Sequence, residues 1–301
     1  AALARTDADN INYYERVRNS DEFKHFESEY NVNVDSVKDN LNSFLTAENN
    51  IDTDTMVSET INILSEARNS LQMFDMLHAM RNKDDITFVH SVNVALIASI
   101  IGKWLNFNDE QIKTLTLAGL LHDIGKLLVP DNILNKPGTL TDNEYEIMKH
   151  HVNLGYEQIK DKKLPLPVKE AILLHHEKCN GSGYPFGLKS PDIPAVAKII
   201  TIADVYDAMT SNRCYRKGIC PFKVIGILER DKDAYEPGVL YLFMERTIEA
   251  YVNTEVLLSN GEQGKVVLLN KSLLSRPVVM TDKGTIYDLS KDFRMGIEAL
   301  I

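Results

Sequence analysis

The feature that most constrains this chain of 301 residues is a set of imidazoles and carboxylates on helical faces that are otherwise apolar. ITFVHSVNVALIASII (86–101) has a helical period, and Ile86, His90, Asn93, Ile97 and Ile100 share one face, so His90 points inward. In IKTLTLAGLLHDIGK (112–126), Leu115, Ala118 and His122 share a face, Asp123 lies beside it, and Lys126 sits one turn past His122. NEYEIMKHHVNLGYEQI (143–159) reads as one helix with two adjacent histidines. His150 falls with Glu146, Asn153 and Glu157 on a solvated face, whereas His151 falls with Ile147, Met148, Leu154 and Gly155 on the buried one. In LPVKEAILLHHEKCNGSGYP (166–185), Val168, Ile172 and His175 line up, with His176 at the shoulder. PAVAKIITIADVYDAMTSNR (194–213) opens on a proline suited to a first helical turn and carries Asp204 and Asp207 on or near its apolar face. His25 and His78 have no such company.

A lone histidine on an apolar face is ordinarily a satisfied core residue. Five of them with two aspartates, spread over five helices, are another matter. Each polar group left unpaired in a core costs about 1–3 kcal/mol. Convergence on cations satisfies all of them, which predicts a metal centre between the helical segments. Imidazoles with few carboxylates suit zinc, iron, manganese or nickel better than calcium. Neighbouring side chains on a helix diverge by about 100°. His122 therefore serves one ion, while Asp123 offers one oxygen to each of two ions ~3.5–4 Å apart.

Composition narrows the partners. With 44% hydrophobic residues the chain has material for one large core or two modest ones. A net charge of −10 argues against wrapping a nucleic-acid polymer, but a small anionic substrate remains compatible if the field is reversed locally. Cys179, Cys214 and Cys220 make no CxxC pair and no even framework, which fits a reducing cytoplasmic setting. No apolar run is long enough to read as a membrane span, and no basic-then-apolar leader opens the chain.

Three regions are visible. Residues 1–75 read as polar-rich helices: a cap, a signal-input element, or a dimerisation element giving a homodimer. Residues 76–252 are successive helices punctuated by prolines. Residues 253–301 are β-rich, with EVLL, KVVLLN, PVVMT and GTIYDL as short strands and SNGEQG and DKG as turns.

His90, HDIGK at 122–126, NKPGTLT at 135–141, His151 four residues before Gly155, HHE at 175–177, GSGYP at 181–185 and DVYDAMTSNR at 204–213 together resemble the HD-GYP domains of the HD phosphohydrolase superfamily. The resemblance covers roughly residues 80–250. It implies a mainly α fold, an all-helical bundle with a metal centre at its middle, and metal-dependent phosphodiesterase activity on cyclic di-GMP, a bacterial second messenger, giving linear dinucleotide or GMP. His90, His122, Asp123, His151, His175, His176 and Asp204 fall on metal-ligand positions of the family. Lys126 falls beside the substrate phosphate, Asp207, Arg213 and Arg216 on substrate-side positions, and Gly183, Tyr184 and Pro185 on the naming motif. Two departures stand out: Cys214 replaces a proline in RCYR, and Ile86 stands where some members carry a glutamate ligand. With Ile86 there, two metals per chain are expected, iron or manganese first and nickel or zinc next.

The residues also outline a mechanism. Five neutral imidazoles and two carboxylates carry about −2, so two divalent ions leave a positive centre that Lys126, Arg213 and Arg216 would reinforce. Hydroxide shared by the metals attacks phosphorus, and Lys126 stabilises the growing charge. Asp207 orients water or accepts its proton, or else only caps or pairs with Arg213. The glycine-rich loop holding Tyr184 either shapes the pocket or is merely a tight turn. Arg213 and Arg216 meet phosphate or are surface charges. The rivals are hydrolysis of another cyclic dinucleotide, a silent nucleotide sensor and a di-iron oxygenase.

Overall fold

The computed structural model describes residues 13–46, 52–80, 86–211 and 218–301. Among the described residues, four helices precede the histidine-bearing segments: α1 (Tyr13–Asn19), α2 (Asp21–Thr46), α3 (Thr53–Ile63) and α4 (Ser70–Ala79). In α2, Phe23, Phe26, Tyr30, Val34, Val37, Leu41 and Phe44 recur every three or four residues and all are buried. This stripe is what an amphipathic helix needs to dock on a core. It joins the same continuous core as the helices that follow and the C-terminal strands.

The centre of the fold is α5 (Ile86–Trp104), packed along α6 (Asp109–Leu121). Two small residues allow the close crossing: a Cβ on Gly119 would lie 2.5 Å from the Ala95 Cα. By length and composition Thr87–Trp104 does pass as a membrane span, contrary to the sequence expectation, yet 78% of it is buried inside the fold. A helix apolar on all sides belongs in a core as readily as in lipid.

Two helical readings need correction. α6 stops at Leu121, His122 caps it, and Asp123 leaves helical geometry at φ −100° and ψ 10°. A 3₁₀ turn, Ile124–Leu128, carries Lys126 onward, so His122 and Lys126 are not on successive turns of one helix. The segment read as one helix over 143–159 is two, α8 (Asp142–Lys149) and α9 (His151–Ile159), after the short α7 (Asp131–Leu134). His150 forms the joint at φ −67° and ψ −9°. α8, on the N-terminal side of this joint, buries no residue. Ile147 and Leu154, expected on the buried face, are 43% and 36% exposed.

α10 (Leu166–Leu174) ends at the two adjacent histidines, and α11 (Ala195–Thr210) carries the aspartates. Arg213, Cys214 and Arg216 lie outside the described residues, as does Asp85. α12 (Pro221–Arg230) and α13 (Pro237–Glu249) lead to an antiparallel sheet ordered β4-β3-β2-β1-β5. Its strands are β1 (Glu255–Leu258), β2 (Gln263–Leu268), β3 (Val278–Thr281), β4 (Ile286–Asp288) and β5 (Ile297–Leu300). The expected turns hold, with Gly261 and Gly284 at positive φ. β5 was not visible in the sequence; it pairs with β1 and packs on α12.

Candidate metal centre

Five elements aim their polar side chains at one point. His90 comes from α5, His122 and Asp123 from the end of α6, His151 from the first residue of α9, His175 and His176 from just past α10, and Asp204 from α11. Glycine permits the convergence. A Cβ on Gly125 would lie 1.9 Å from the His151 carbonyl oxygen and 2.5 Å from the Gly155 nitrogen. Only a bare backbone there lets the 3₁₀ turn lie against α9, which brings His151 to Asp123.

The donors sort into two groups. Asp123, His151, His175 and His176 each bring one ligand atom within 4.8 Å of the others, and so do His90, His122 and Asp204. Asp123 faces both. Its Oδ1 lies 3.4 Å from His151 Nε2 and 3.8 Å from His175 Nε2, while its Oδ2 lies 3.3 Å from His122 Nε2 and 3.6 Å from His90 Nε2. The bridging disposition expected from sequence is present, although it arises from a helix end and not from angular spacing within one helix.

Backbone carbonyls set the tautomers. His122 Nδ1 donates to the Gly119 carbonyl at 2.7 Å and His151 Nδ1 to that of Met148 at 2.8 Å. His175 Nδ1 reaches the Ala171 and Ile172 carbonyls at 3.1 Å. With each Nδ1 proton engaged, each Nε2 presents a lone pair to the centre, which is how ligating histidines are commonly held. The lone pairs of His151 and His175 face each other across 3.3 Å. His122 Nε2 and Asp123 Oδ1 are buried without any hydrogen-bond partner. Lone pairs pointed at one another in a dry core repel unless a cation lies between them. The donor set therefore fits divalent metal ions, and its imidazole content fits transition metals.

Electrostatics agree. Burial lowers the pKa of His151 to about 4 and that of His176 to about 3, and holds His175 well below its usual value, so all three are neutral donors. Burial works against ionising Asp123 and Asp204, but neighbouring histidines, and Lys126 beside Asp123, hold both carboxyls well below the usual range. His90 differs. Burial disfavours its charge, yet hydrogen bonds to Asp204 at 3.0 Å and Asp207 at 2.7 Å raise its pKa to about 9.

Asp207 does not line the pocket. Its Oδ2 accepts from His90 Nδ1, and its Oδ1 accepts from Asn93 at 2.8 Å and Ser211 at 2.8 Å. Lys126 Nζ lies 2.5 Å from Asp123 Oδ2 at the edge of a cavity of about 650 Å³. That size lies within the range of ligand clefts, roughly 300–1,000 Å³. Gly183 and Tyr184 line it, and Pro185 follows Tyr184 through a cis peptide. The Tyr184 ring stacks on His176 at 4.7 Å. A Cβ on Gly183 would meet the His176 carbonyl oxygen at 2.4 Å, so glycine is needed for the loop to lie down.

Other functional candidates escaped the sequence reading. Lys136, Tyr145 and Lys178 also line the cavity. Buried Glu177 accepts from the backbone nitrogens of Phe186 at 2.7 Å and Leu188 at 2.8 Å, pinning the Tyr184 loop. HHE offered a signal for Glu177; nothing in the local pattern marked Tyr145 or the lysines.

Residues 59–239 match the family model described as HD domain. Cyclic di-GMP phosphodiesterase PA4108 of Pseudomonas aeruginosa is 36% identical over 189 residues, covering 62% of this chain and 46% of that protein. The 3'3'-cGAMP-specific phosphodiesterase 2 of Vibrio cholerae is 33% identical over 192 residues, covering 62% of this chain and 37% of that protein. The chain thus spans less than half the length of these two relatives. Bd1817, an HDG"Y"P protein from Bdellovibrio bacteriovorus, shares the fold, with a TM-score of 0.59 over 76% of this chain and 74% of that one at 20% identity.

Proposed function

Since this chain belongs to the HD domain family, we propose that it is a metal-dependent phosphodiesterase that opens cyclic di-GMP by hydrolysis. The observation that carries the reading is Asp123, whose two oxygens face separate imidazole groups at 3.3–3.8 Å beside a ligand-sized cavity. His151, His175 and His176 would hold one ion and His90, His122 and Asp204 the other, with Asp123 shared; iron or manganese suits the set. When bound, two such ions polarise a phosphoryl oxygen and bring the pKa of water from 15.7 to about 7.

The chain supplies the rest. Neutral imidazoles keep the cluster's own negative charge small, so a divalent pair leaves a positive centre in a protein of net charge −10. Such a centre draws a phosphodiester into the cavity. Lys126 stands where charge grows on the non-bridging oxygens and stabilises it. Tyr184, held flat by His176, offers a purine a surface, and Tyr145 lines the same cavity. Asp207 acts through His90 and not on the substrate. Relatives named for cyclic di-GMP and for 3'3'-cGAMP match at comparable identity, so the second dinucleotide is the alternative substrate.

Chromatography of products after anaerobic incubation of iron- or manganese-loaded protein with each dinucleotide tests this. Faster release of linear dinucleotide or GMP from cyclic di-GMP supports the reading, and faster cleavage of 3'3'-cGAMP moves the assignment to that substrate. Failure to cleave either with both ions loaded refutes phosphodiesterase activity.

A further inference from the structure

A hydrogen-bond chain runs from the N-terminal helices into the metal centre. Tyr30 of α2 donates to Asn93 Oδ1 at 2.6 Å. Asn93 Nδ2 donates to Asp207 Oδ1 at 2.8 Å, and Asp207 Oδ2 accepts from His90 Nδ1 at 2.7 Å. All four side chains are buried. The directions are fixed by chemistry. A carboxylate only accepts, so Asn93 must present its NH₂ to Asp207, and its carbonyl is left for the phenol. Burial and the nearby Asp207 charge hold the Tyr30 phenol protonated, so it remains a donor.

We infer that Tyr30, outside the matched family region, is a positioning residue of the metal centre: acting through Asn93 and Asp207, its hydroxyl fixes the tautomer and orientation of His90. His90 differs from His122, His151 and His175 in this respect. The Nδ1 atoms of His122, His151 and His175 rest on backbone carbonyls of their own or the adjoining helix, which cannot move independently. The Nδ1 of His90 rests on a side chain that is itself oriented by a side chain oriented by α2. Without the phenol, the Asn93 oxygen loses its donor and the amide is free to tilt away from Asp207. The contact to the carboxylate then loosens, Asp207 shifts, and His90 loses the firm partner that aims its ring at the ion. The anchoring of α2 does not depend on this hydroxyl, because the stripe from Phe23 to Phe44 supplies it.

The inference rests on the two-metal reading, and the test separates the two. Full-length protein is loaded with manganese, challenged with a graded chelator, and its metal content read by elemental analysis beside its melting temperature. Wild type should retain two ions per chain. Tyr30→Phe should lose one of them at a chelator concentration on the order of tenfold lower, as for loss of an outer partner of a metal ligand, while the other ion stays as in wild type. Asn93→Ser, which breaks the chain from α5, should reproduce that loss. Leu41→Ala, which loosens α2 three turns beyond Tyr30, should lower the melting temperature and leave both ions in place. Retention of both ions by Tyr30→Phe and Asn93→Ser within about twofold of wild type overturns the inference. So does equal metal loss in Leu41→Ala. A wild-type protein that never holds two ions overturns the metal reading itself, and the inference falls with it.

Discussion

Gly125→Ala tests how the centre is assembled. The new Cβ would stand 1.9 Å from the His151 carbonyl oxygen, whereas such contacts stay beyond 3.0 Å, so the 3₁₀ turn and α9 must separate by 3.0 − 1.9, or about 1.1 Å. Nothing soft can absorb this, since the obstructing atoms are all backbone. His151 Nε2 and Asp123 Oδ1 are 3.4 Å apart, and an ion shared between them needs about 2.0–2.2 Å to each. A separation of about half a coordination bond takes one of them out of reach. The strain should cost about 1–3 kcal/mol, lowering the melting temperature of the metal-free protein by several degrees. Turnover should fall roughly 10²-fold, the usual result of displacing a catalytic group by about 1 Å. Metal analysis should show the ion held by Asp123, His151, His175 and His176 lost first. Gly238→Ala is the control, because its Cβ would meet nothing within 4 Å. Wild-type metal content and turnover in Gly125→Ala would refute the claim that glycine sets the approach of Asp123 to His151.

Two further outcomes are expected. His151→Ala should strip metal and activity whereas His150→Ala, at the exposed joint, should change neither by more than about twofold; the reverse result would mean that the α8–α9 joint is wrongly phased. Burial raises the pKa of Asp75 to about 7 against the pull of the Tyr13 hydroxyl, from an unfolded value of 3.8. Its contribution to stability is therefore fully present below about pH 4 and declines as pH rises to about 7, by at most about 4 kcal/mol. Urea melts of metal-free Asp75→Asn should gain on wild type between pH 4.5 and pH 8, and parallel curves would sink this account.

Helical periodicity carried most of the site. His90, His122, Asp123, His151, His175, His176 and Asp204 all converge, because inward direction follows local phase, which His122 and His175 keep as helix caps, whereas Asp123 reaches the centre from the non-helical joint that follows. Local phase says nothing about where a helix yields to tertiary contact. The break after Leu121 and the joint at His150 flank the approach of Gly125 to α9, a contact between segments about 30 residues apart, and local phase did not show the exposure of Ile147 and Leu154. Asp207 shared a face with the ligands, but only three-dimensional placement shows both its oxygens occupied by His90, Asn93 and Ser211. β5 escaped because IEAL lacks a β-branched run; its pairing with β1 makes it a strand. Tyr30 lies in the region read only as polar-rich helices, and its hydroxyl gains meaning only opposite Asn93.

α8 buries no residue, yet it carries Tyr145 into the wall of the cavity. The side of the pocket that meets the ligand is therefore uncoupled from the folding of the chain. Surface substitutions of this kind usually change stability by less than about 0.5 kcal/mol, whereas any change at the histidines strikes the core. Substitutions along residues 142–149 can therefore reshape this wall of the cavity while the histidine cluster keeps its packing.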